Sequence, residues 1–162
     1  MNGPSSVILV DTNIWLDNYL AGRPCSRDSR SFLHEAHRRG IPLAYPAHCI
    51  KDVFFLIQLS LKRLKHEQGG LSEADAQAIR TIAWSCIENM RELASAVATD
   101  ESDIWTACKQ RAVTNDLEDN LVIAAAQRAH ARLLATNDTF LLKHAPVPAL
   151  SAADALALIA SE

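Results

Sequence analysis

The sequence predicts a parallel α/β fold on three observations. Val7-Ile8-Leu9-Val10 is an unbroken apolar run, the pattern of a strand covered on both faces, and it ends at Asp11-Thr12-Asn13. Further short apolar runs alternate with longer stretches of helical periodicity, the order produced when helices cross over between parallel strands. Acidic residues follow several of these runs, at the carboxyl ends where open α/β sheets bind their ligands.

After the first strand, Ser26 to Arg39 reads as a helix with Phe32, Leu33 and Ala36 at core spacing, stopped by Gly40. Residues 41–45 are the second strand. Beyond Pro46, the positions Ile50, Val53, Phe54, Ile57, Leu61 and Leu64 recur with helical spacing, so a long helix runs to about Glu67 and Gln68-Gly69-Gly70 ends it. Ser72 followed by Asp75 resembles a helix cap, and Ile79, Ile82, Cys86, Met90 and Leu93 form the next stripe, making a hairpin with the long helix. Residues 94–98 form a short strand. Thr99 or Asp100 caps a helix carrying Ile104, Trp105 and Cys108, and Thr114 or Asn115 caps another over 117–131, where Ala124-Ala125-Ala126 permits close packing on a sheet. A fourth strand covers 132–136, a fifth ends at Leu150 after Pro146 and Pro148, and Ser151 caps a C-terminal helix.

With 162 residues, 49% of them apolar and 22% charged, the chain has the size and composition of one globular domain spanning 1–162. Its longest apolar runs, Leu121 to Ala126 and Ala155 to Ala160, are far below the ~20 residues a membrane span needs, and nothing near Val7 has signal-peptide character. A cytoplasmic protein is expected. Cys25, Cys49, Cys86 and Cys108 show no zinc-type spacing and read as reduced thiols. The net charge of −3 divides unevenly: residues 1–70 carry nine Lys/Arg against six Asp/Glu, and 71–162 carry seven against thirteen. That asymmetry suits a polyanion held against an acidic, metal-binding cluster, and equally a solvated surface.

The acids decide between these. Asp11 follows the first strand, Asp138 the fourth, Asp52 opens the helix after the second, and Asp116 and Asp119 open the helix before the fourth. All can meet at one sheet edge. Asp116 and Asp119 share a helical face, while Glu118 points away and is expected to be peripheral. Asp52 shares a stripe with Phe55, Leu56 and Leu59, an odd place for a charge unless it looks into a polar pocket. Taken singly, each acid also fits a helix cap or a turn. Together they repel one another, and the remedy for such crowding is a divalent cation with hard oxygen ligands, Mg²⁺ or Mn²⁺.

The blocks Val7-Ile-Leu-Val-Asp-Thr-Asn-Ile-Trp15, Pro46-Ala-His-Cys-Ile-Lys-Asp-Val53, Asp116-Leu-Glu-Asp-Asn-Leu-Val-Ile-Ala-Ala-Ala-Gln-Arg-Ala129 and Leu134-Ala-Thr-Asn-Asp138 resemble a PIN domain in order and spacing, from Val7 to about Leu158. The resemblance implies a three-layer α/β/α sandwich around a central parallel sheet of four or five strands. It also implies a metal-dependent ribonuclease cutting single-stranded RNA, of the kind that serves as a VapC-type toxin neutralised by an antitoxin protein. By matching position it makes Asp11, Asp119 and Asp138 the metal-binding acids, with Asp52 standing where the family usually has Glu. Thr12, Asn13, Asp116 and Thr136 fall at positions that support those acids. The implied mechanism is hydrolysis by metal-activated water, with Mg²⁺ or Mn²⁺ as cofactor.

RNA needs a positive approach, for which Lys51, Lys62 and Arg63 on the long helix, or Arg27 and Arg30 on the earlier one, are candidates. His48 and His130 read as surface or packing residues. The helix pair over 47–67 and 72–91 carries more apolar residues, Phe54, Phe55, Ile57, Leu59 and Leu61 among them, than one buried stripe requires; a homodimer contact or antitoxin surface is expected there. Two other readings remain: a PIN-like binding module with weak catalysis, and a haloacid-dehalogenase-type phosphatase attacking through Asp11, although Asn13 replaces the second Asp of its Asp-x-Asp signature.

Overall fold

The computed structural model describes residues 6–162, so the first five residues of the expected 1–162 unit lie outside the described residues. The strands are β1 (Ile8–Val10), β2 (Leu43–Pro46), β3 (Ser95–Val97), β4 (Leu133–Ala135) and β5 (Ala149–Leu150). They form one parallel sheet in the order β3-β2-β1-β4-β5, with Ile8 opposite both Leu43 and Leu133. Strand order reverses at β1, which is therefore the switch point at which the sheet opens a crevice for ligand.

Alternation along the strands divides the core into two layers. Ile8, Val10, Leu43, Tyr45, Leu133 and Ala135 face α1 (Thr12–Tyr19), α2 (Ser26–Arg38), α3 (Cys49–Glu67), α4 (Glu73–Leu93) and α8 (Ala152–Ser161). Leu9, Ala44 and Leu134 face α6 (Leu117–Arg128) and α7 (Thr139–His144), whose Val122, Ile123, Ala125, Ala126 and Leu141 close the second layer. The expected three-layer α/β/α arrangement with five parallel strands is present. Ala125 and Ala126 of α6 do what small residues permit, lying buried in the layer against the sheet, and Ala124 is buried on the side toward α5.

Local chemistry sets the element boundaries. Gly40 ends α2 with φ 67°, its N–H on the His37 carbonyl and the Ile41 N–H on that of Ala36, a pairing that requires the left-handed residue glycine tolerates. Ser72 and Asp75 form the expected reciprocal cap of α4. Asp100, rather than Thr99, caps α5 (Glu101–Lys109), and a 3-10 turn over Gln110–Ala112 follows.

Three expectations are corrected. Asp116, not Thr114 or Asn115, caps α6, its carboxylate accepting from the Glu118 and Asp119 N–H groups. Ile104 and Trp105 are exposed while Asp103 and Ala107 are buried, because Arg128 of α6 pairs with the Asp103 carboxylate and draws that side of α5 inward. On α4, Ala83 and Ile87 occupy the core and Ile82 faces out. The short helices α1 and α7 span too few residues to show a periodic stripe.

Candidate active site

β1 delivers Asp11 to the switch point. Its backbone N–H still bonds the Ala135 carbonyl of β4 at 3.0 Å, and its side chain then caps α1. Asp11 is 6% exposed. One carboxylate oxygen accepts the Thr12 N–H at 2.7 Å, and the other accepts Thr136 Oγ1 at 2.7 Å and Asn13 Nδ2 at 2.6 Å. Thr136 Oγ1 in turn accepts the Asp138 N–H, so the turn after β4 is held in register with the turn after β1.

Around this buried carboxylate lies a cleft of about 180 Å³ lined by Asp11, Thr12, Asn13, Leu16, Leu56, Glu118, Asp119 and Asp138. Asp119 enters from the first turn of α6. Asp138 caps α7, with one oxygen accepting the Phe140 and Leu141 N–H groups. Of the expected acids, the structure thus brings Asp11, Asp119 and Asp138 together. It brings Glu118 as well, whose Oε1 lies 3.3 Å from the Thr12 hydroxyl, against the expectation that Glu118 is peripheral. The helix starts at Leu117 as expected, and Glu118 reaches the cleft because Thr12 of α1 stands on its side of the first turn.

Charge crowding shows in the protonation of these groups. Burial pushes the Asp11 carboxyl up to about 7, with Glu118 and Asp119 adding to the rise and the Thr136 and Thr12 hydrogen bonds opposing it. Partial burial first, then Asp116, Asp138 and Glu118, raise Asp119 to about 6. Glu118 is raised by desolvation and by Asp52. The cleft thus repels negative charge from itself and attracts cations.

Asp52 is not among the lining residues. Of its stripe, Leu56 lines the cleft while Phe55 and Leu59 are 61% and 51% exposed, and the Asp52 carboxylate pairs with the adjacent Lys51 ammonium. Asp116 stays on the surface as a cap. Of the candidate RNA-binding cations, Lys51 stands nearest in sequence to the cleft; Arg63 is engaged with Glu67, and Arg30 with the Asn18 carbonyl. Arg27 and Lys62 make no cleft contact.

Sequence reasoning missed a hub. Asn137 donates its backbone N–H to Asn13 Oδ1 and its side-chain amide to Asp17 Oδ2 and Ser29 Oγ, and it accepts the Ala152 N–H. Asp17, 3% exposed, is further held by Arg23. This network locks Asn13, and through it Asp11, to α2 and α8. Its only trace in the sequence is a buried-stripe position on a short helix that happens to be Asp.

Among the described residues no set of three Asp, Glu, His or Cys side chains already stands in metal-holding geometry. The donors that face the cleft are nonetheless oxygens only, the type that hard divalent cations take, and the mutual repulsion of Asp11, Asp119, Glu118 and Asp138 is of the sign a cation relieves. The residues present fit Mg²⁺ or Mn²⁺ in kind.

The fold is similar to that of several solved structures. Over 90% of this chain and 98% of the other it matches VapBC2 from Rickettsia felis, solved bound to a DNA fragment from its promoter, at TM-score 0.60 and 13% identity. FitAcB from Neisseria gonorrhoeae matches over 90% of this chain and 97% of that one, at TM-score 0.62 and 14% identity, and PAE2754 from Pyrobaculum aerophilum over 99% and 100%, at 0.64 and 15%. At these identities the likeness is one of fold. No curated protein matches the chain. A sequence model of the PIN domain matches residues 7–139. That stretch begins at the strand that delivers Asp11 and ends one residue past Asp138, so it takes in the whole acidic cleft, and the chain belongs to the PIN domain family.

Proposed function

We propose that this chain is a metal-dependent endoribonuclease that hydrolyses single-stranded RNA, the toxin of a toxin–antitoxin pair. The observation that carries the reading is the convergence of Asp11, Asp119, Asp138 and Glu118 at the switch point of a PIN-family sheet, where PIN domains, which are typically nucleases, would require it. Asp11, Asp119 and Asp138 hold the cation, with Asp52 on the rim acting through its charge on Glu118. When bound, Mg²⁺ or Mn²⁺ supplies Lewis acidity toward water and phosphate oxygens. Thr136 and Asn13 orient Asp11 by donating to its buried oxygen, and Thr12 fixes Glu118 Oε1, leaving the other Glu118 oxygen to receive a proton from attacking water. The phosphatase alternative falls with the family assignment.

A partner protein fits the α3–α4 hairpin. Phe55 and Leu59 on α3 and Ile82 and Trp84 on α4 are exposed apolar side chains, although Ile57, expected there, belongs to the core and Phe54 and Leu61 pack partly against it. This surface supports a homodimer or antitoxin contact, and the likeness to VapBC2 and FitAcB supports the same reading. Pairing of Asp52 with Lys51 favours the second reading, a PIN module of weak catalysis. The decisive experiment is cleavage of a single-stranded RNA panel by the pure protein with Mg²⁺ or Mn²⁺, beside Asp11→Asn, Asp119→Asn and Asp138→Asn. Each substitution is expected to lower the rate by about 100-fold or more. Wild-type protein inert on every RNA with both metals would leave the binding-module reading standing.

A further inference from the structure

Asp17 is a buried acid outside the cleft. It is 3% exposed and does not line the cavity, yet three donors answer it: Arg23 Nε at 2.5 Å on one oxygen, and Asn137 Nδ2 at 2.8 Å and Ser29 Oγ at 3.4 Å on the other. A buried ion pair gives little net stability over apolar packing of the same volume; what it can supply is a fixed direction for the groups bonded to it. Here that group is Asn137. Both of its amide hydrogens are taken, one by Asp17 and one by Ser29 Oγ at 3.1 Å, and its Oδ1 accepts the Ala152 N–H at 3.1 Å, so the amide has one orientation. Ala152 lies beyond the stretch 7–139 that the PIN sequence model matches. The Asn137 backbone N–H donates to Asn13 Oδ1 at 2.9 Å, which turns Asn13 Nδ2 toward Asp11 Oδ2 at 2.6 Å and Thr136 Oγ1 at 3.1 Å. Asn137 therefore stands between two acids of the cleft: Asp138 is its neighbour in the chain, and Asp11 is reached through Asn13.

We propose that Asn137 and Asp17 are positioning residues of the acidic cleft: they set the placement of Asp11 relative to Asp138, and with it the affinity for a divalent cation. The inference rests on the reading of the cleft as a metal site. The sheet does not fix this placement alone. The Asp11 N–H bonds the Ala135 carbonyl, and past that bond the turns after β1 and β4 are joined by side chains, Thr136 to Asp11 and Asn13 to the Asn137 N–H. A hard cation such as Mg²⁺ demands near-ideal ligand geometry, so a small shift of one acid against the other weakens binding. The bonds between Asp17 and Asn137 also have a polarity that can be reversed. Asn137→Asp alone sets a second carboxylate against Asp17. Combined with Asp17→Asn, the same change exchanges donor and acceptor: the amide at position 17 donates to the carboxylate at position 137, Ser29 Oγ accepts from the first and donates to the second, and Arg23 and the Ala152 N–H keep oxygen acceptors.

The test uses the full chain and two readouts that need no RNA. Mn²⁺ affinity is measured by electron paramagnetic resonance of the free ion, and the Asn13 side-chain amide is followed by NMR in EDTA, its signals assigned by their loss in Asn13→Ala. Asn137→Ala is expected to weaken Mn²⁺ binding by about tenfold or more, the scale on which partners of metal ligands act, and to move the Asn13 amide signals. Asn137→Asp should weaken binding at least as much, and the double exchange Asp17→Asn with Asn137→Asp should return the affinity to within about threefold of wild type, since every bond of the network is restored. Gly40→Ala, at the opposite end of the sheet before β2, is the control for lost stability and should leave both readouts unchanged. Wild-type affinity in Asn137→Ala overturns the proposal, as does an equal loss in Gly40→Ala. A double exchange that folds without recovering the affinity, or that does not fold, overturns the proposed polarity. Weakened Mn²⁺ binding with the Asn13 amide unmoved overturns the route through Asn13. An Asn13 amide that moves in Asn137→Ala, in a protein whose wild type binds no Mn²⁺, keeps the positioning of Asp11 and removes the metal reading.

Discussion

Asp116 and Asp119 stand three residues apart on one helix and do opposite things to the fold. Asp116 answers two N–H groups at the start of α6, so Asp116→Ala is expected to cost about 1 kcal/mol in a denaturant titration. Asp119 is held at about 6 by burial and by three neighbouring carboxylates, so Asp119→Asn in EDTA should melt at or above the wild-type temperature. Asp11 sets the pH dependence of the metal-free protein. Unfolded, it loses its proton near 3.8; folded, it keeps it until about 7. Between those values the folded state binds more protons, so stability falls as pH rises, by up to ~4 kcal/mol if the whole rise is expressed, and is flat in this group below the lower value and above the higher one. Melting in EDTA from pH 4 to pH 8 checks the sign: a stability that climbs with pH over that window would mean Asp11 is not the crowded, buried acid the geometry makes it.

At the scale of elements, the turns that carry the site are braced by side chains rather than by backbone alone. Arg128 of α6 donates to both oxygens of Asp103 and also reaches Asp100 and Ser102, so one guanidinium fastens α5 to the helix that bears Asp119. Arg128→Ala leaves the buried Asp103 carboxylate with only the Asp100 N–H, and is expected to cost roughly 1–3 kcal/mol, read by chemical denaturation. Gly40→Ala forces a β-carbon into a φ of 67° and should cost about 1 kcal/mol although open space surrounds the position. A loss much below that would mean the α2–β2 turn relaxes to a different conformation.

For the whole molecule, binding of a cation to the cleft must appear as stability, because the acids are gathered in the folded state and scattered in the unfolded one. Mg²⁺ or Mn²⁺ at 100 times its dissociation constant is expected to add about 2.7 kcal/mol to wild type and clearly less to Asp119→Asn. A melting temperature indifferent to several millimolar of either metal would reduce the cleft to a set of helix caps. The sheet order explains why the acids meet at all: β1 and β4 are neighbours although some 120 residues separate them, and Asp11 and Asp138 close both strands at the same edge.

The sequence by itself determined the parallel α/β class, the order of the strands' carboxyl-end acids and the reciprocal cap at Ser72 and Asp75, because each is written in local pattern: apolar runs of strand length, helical spacing, and short polar side chains at helix starts. It also marked Asp11, Asp119 and Asp138, which follow or precede strands whatever the pairing. Tertiary structure alone decided the rest. Whether Asp52 looks into the cleft depends on which face of α3 is buried, and an apolar stripe with Phe55 and Leu59 reads the same on a covered face as on an uncovered one. Glu118 joined the cleft because Thr12, more than a hundred residues away in sequence, stands on its side of α6, and no local window shows which neighbours flank a helix. Asp103 went inward and Ile104 and Trp105 outward because a partner guanidinium 25 residues away outweighed their hydrophobicity. Asn137 gained its role from four segments that only the closed sheet brings within hydrogen-bonding distance, so long-range pairing, which no local window contains, fixed the chemistry of the site.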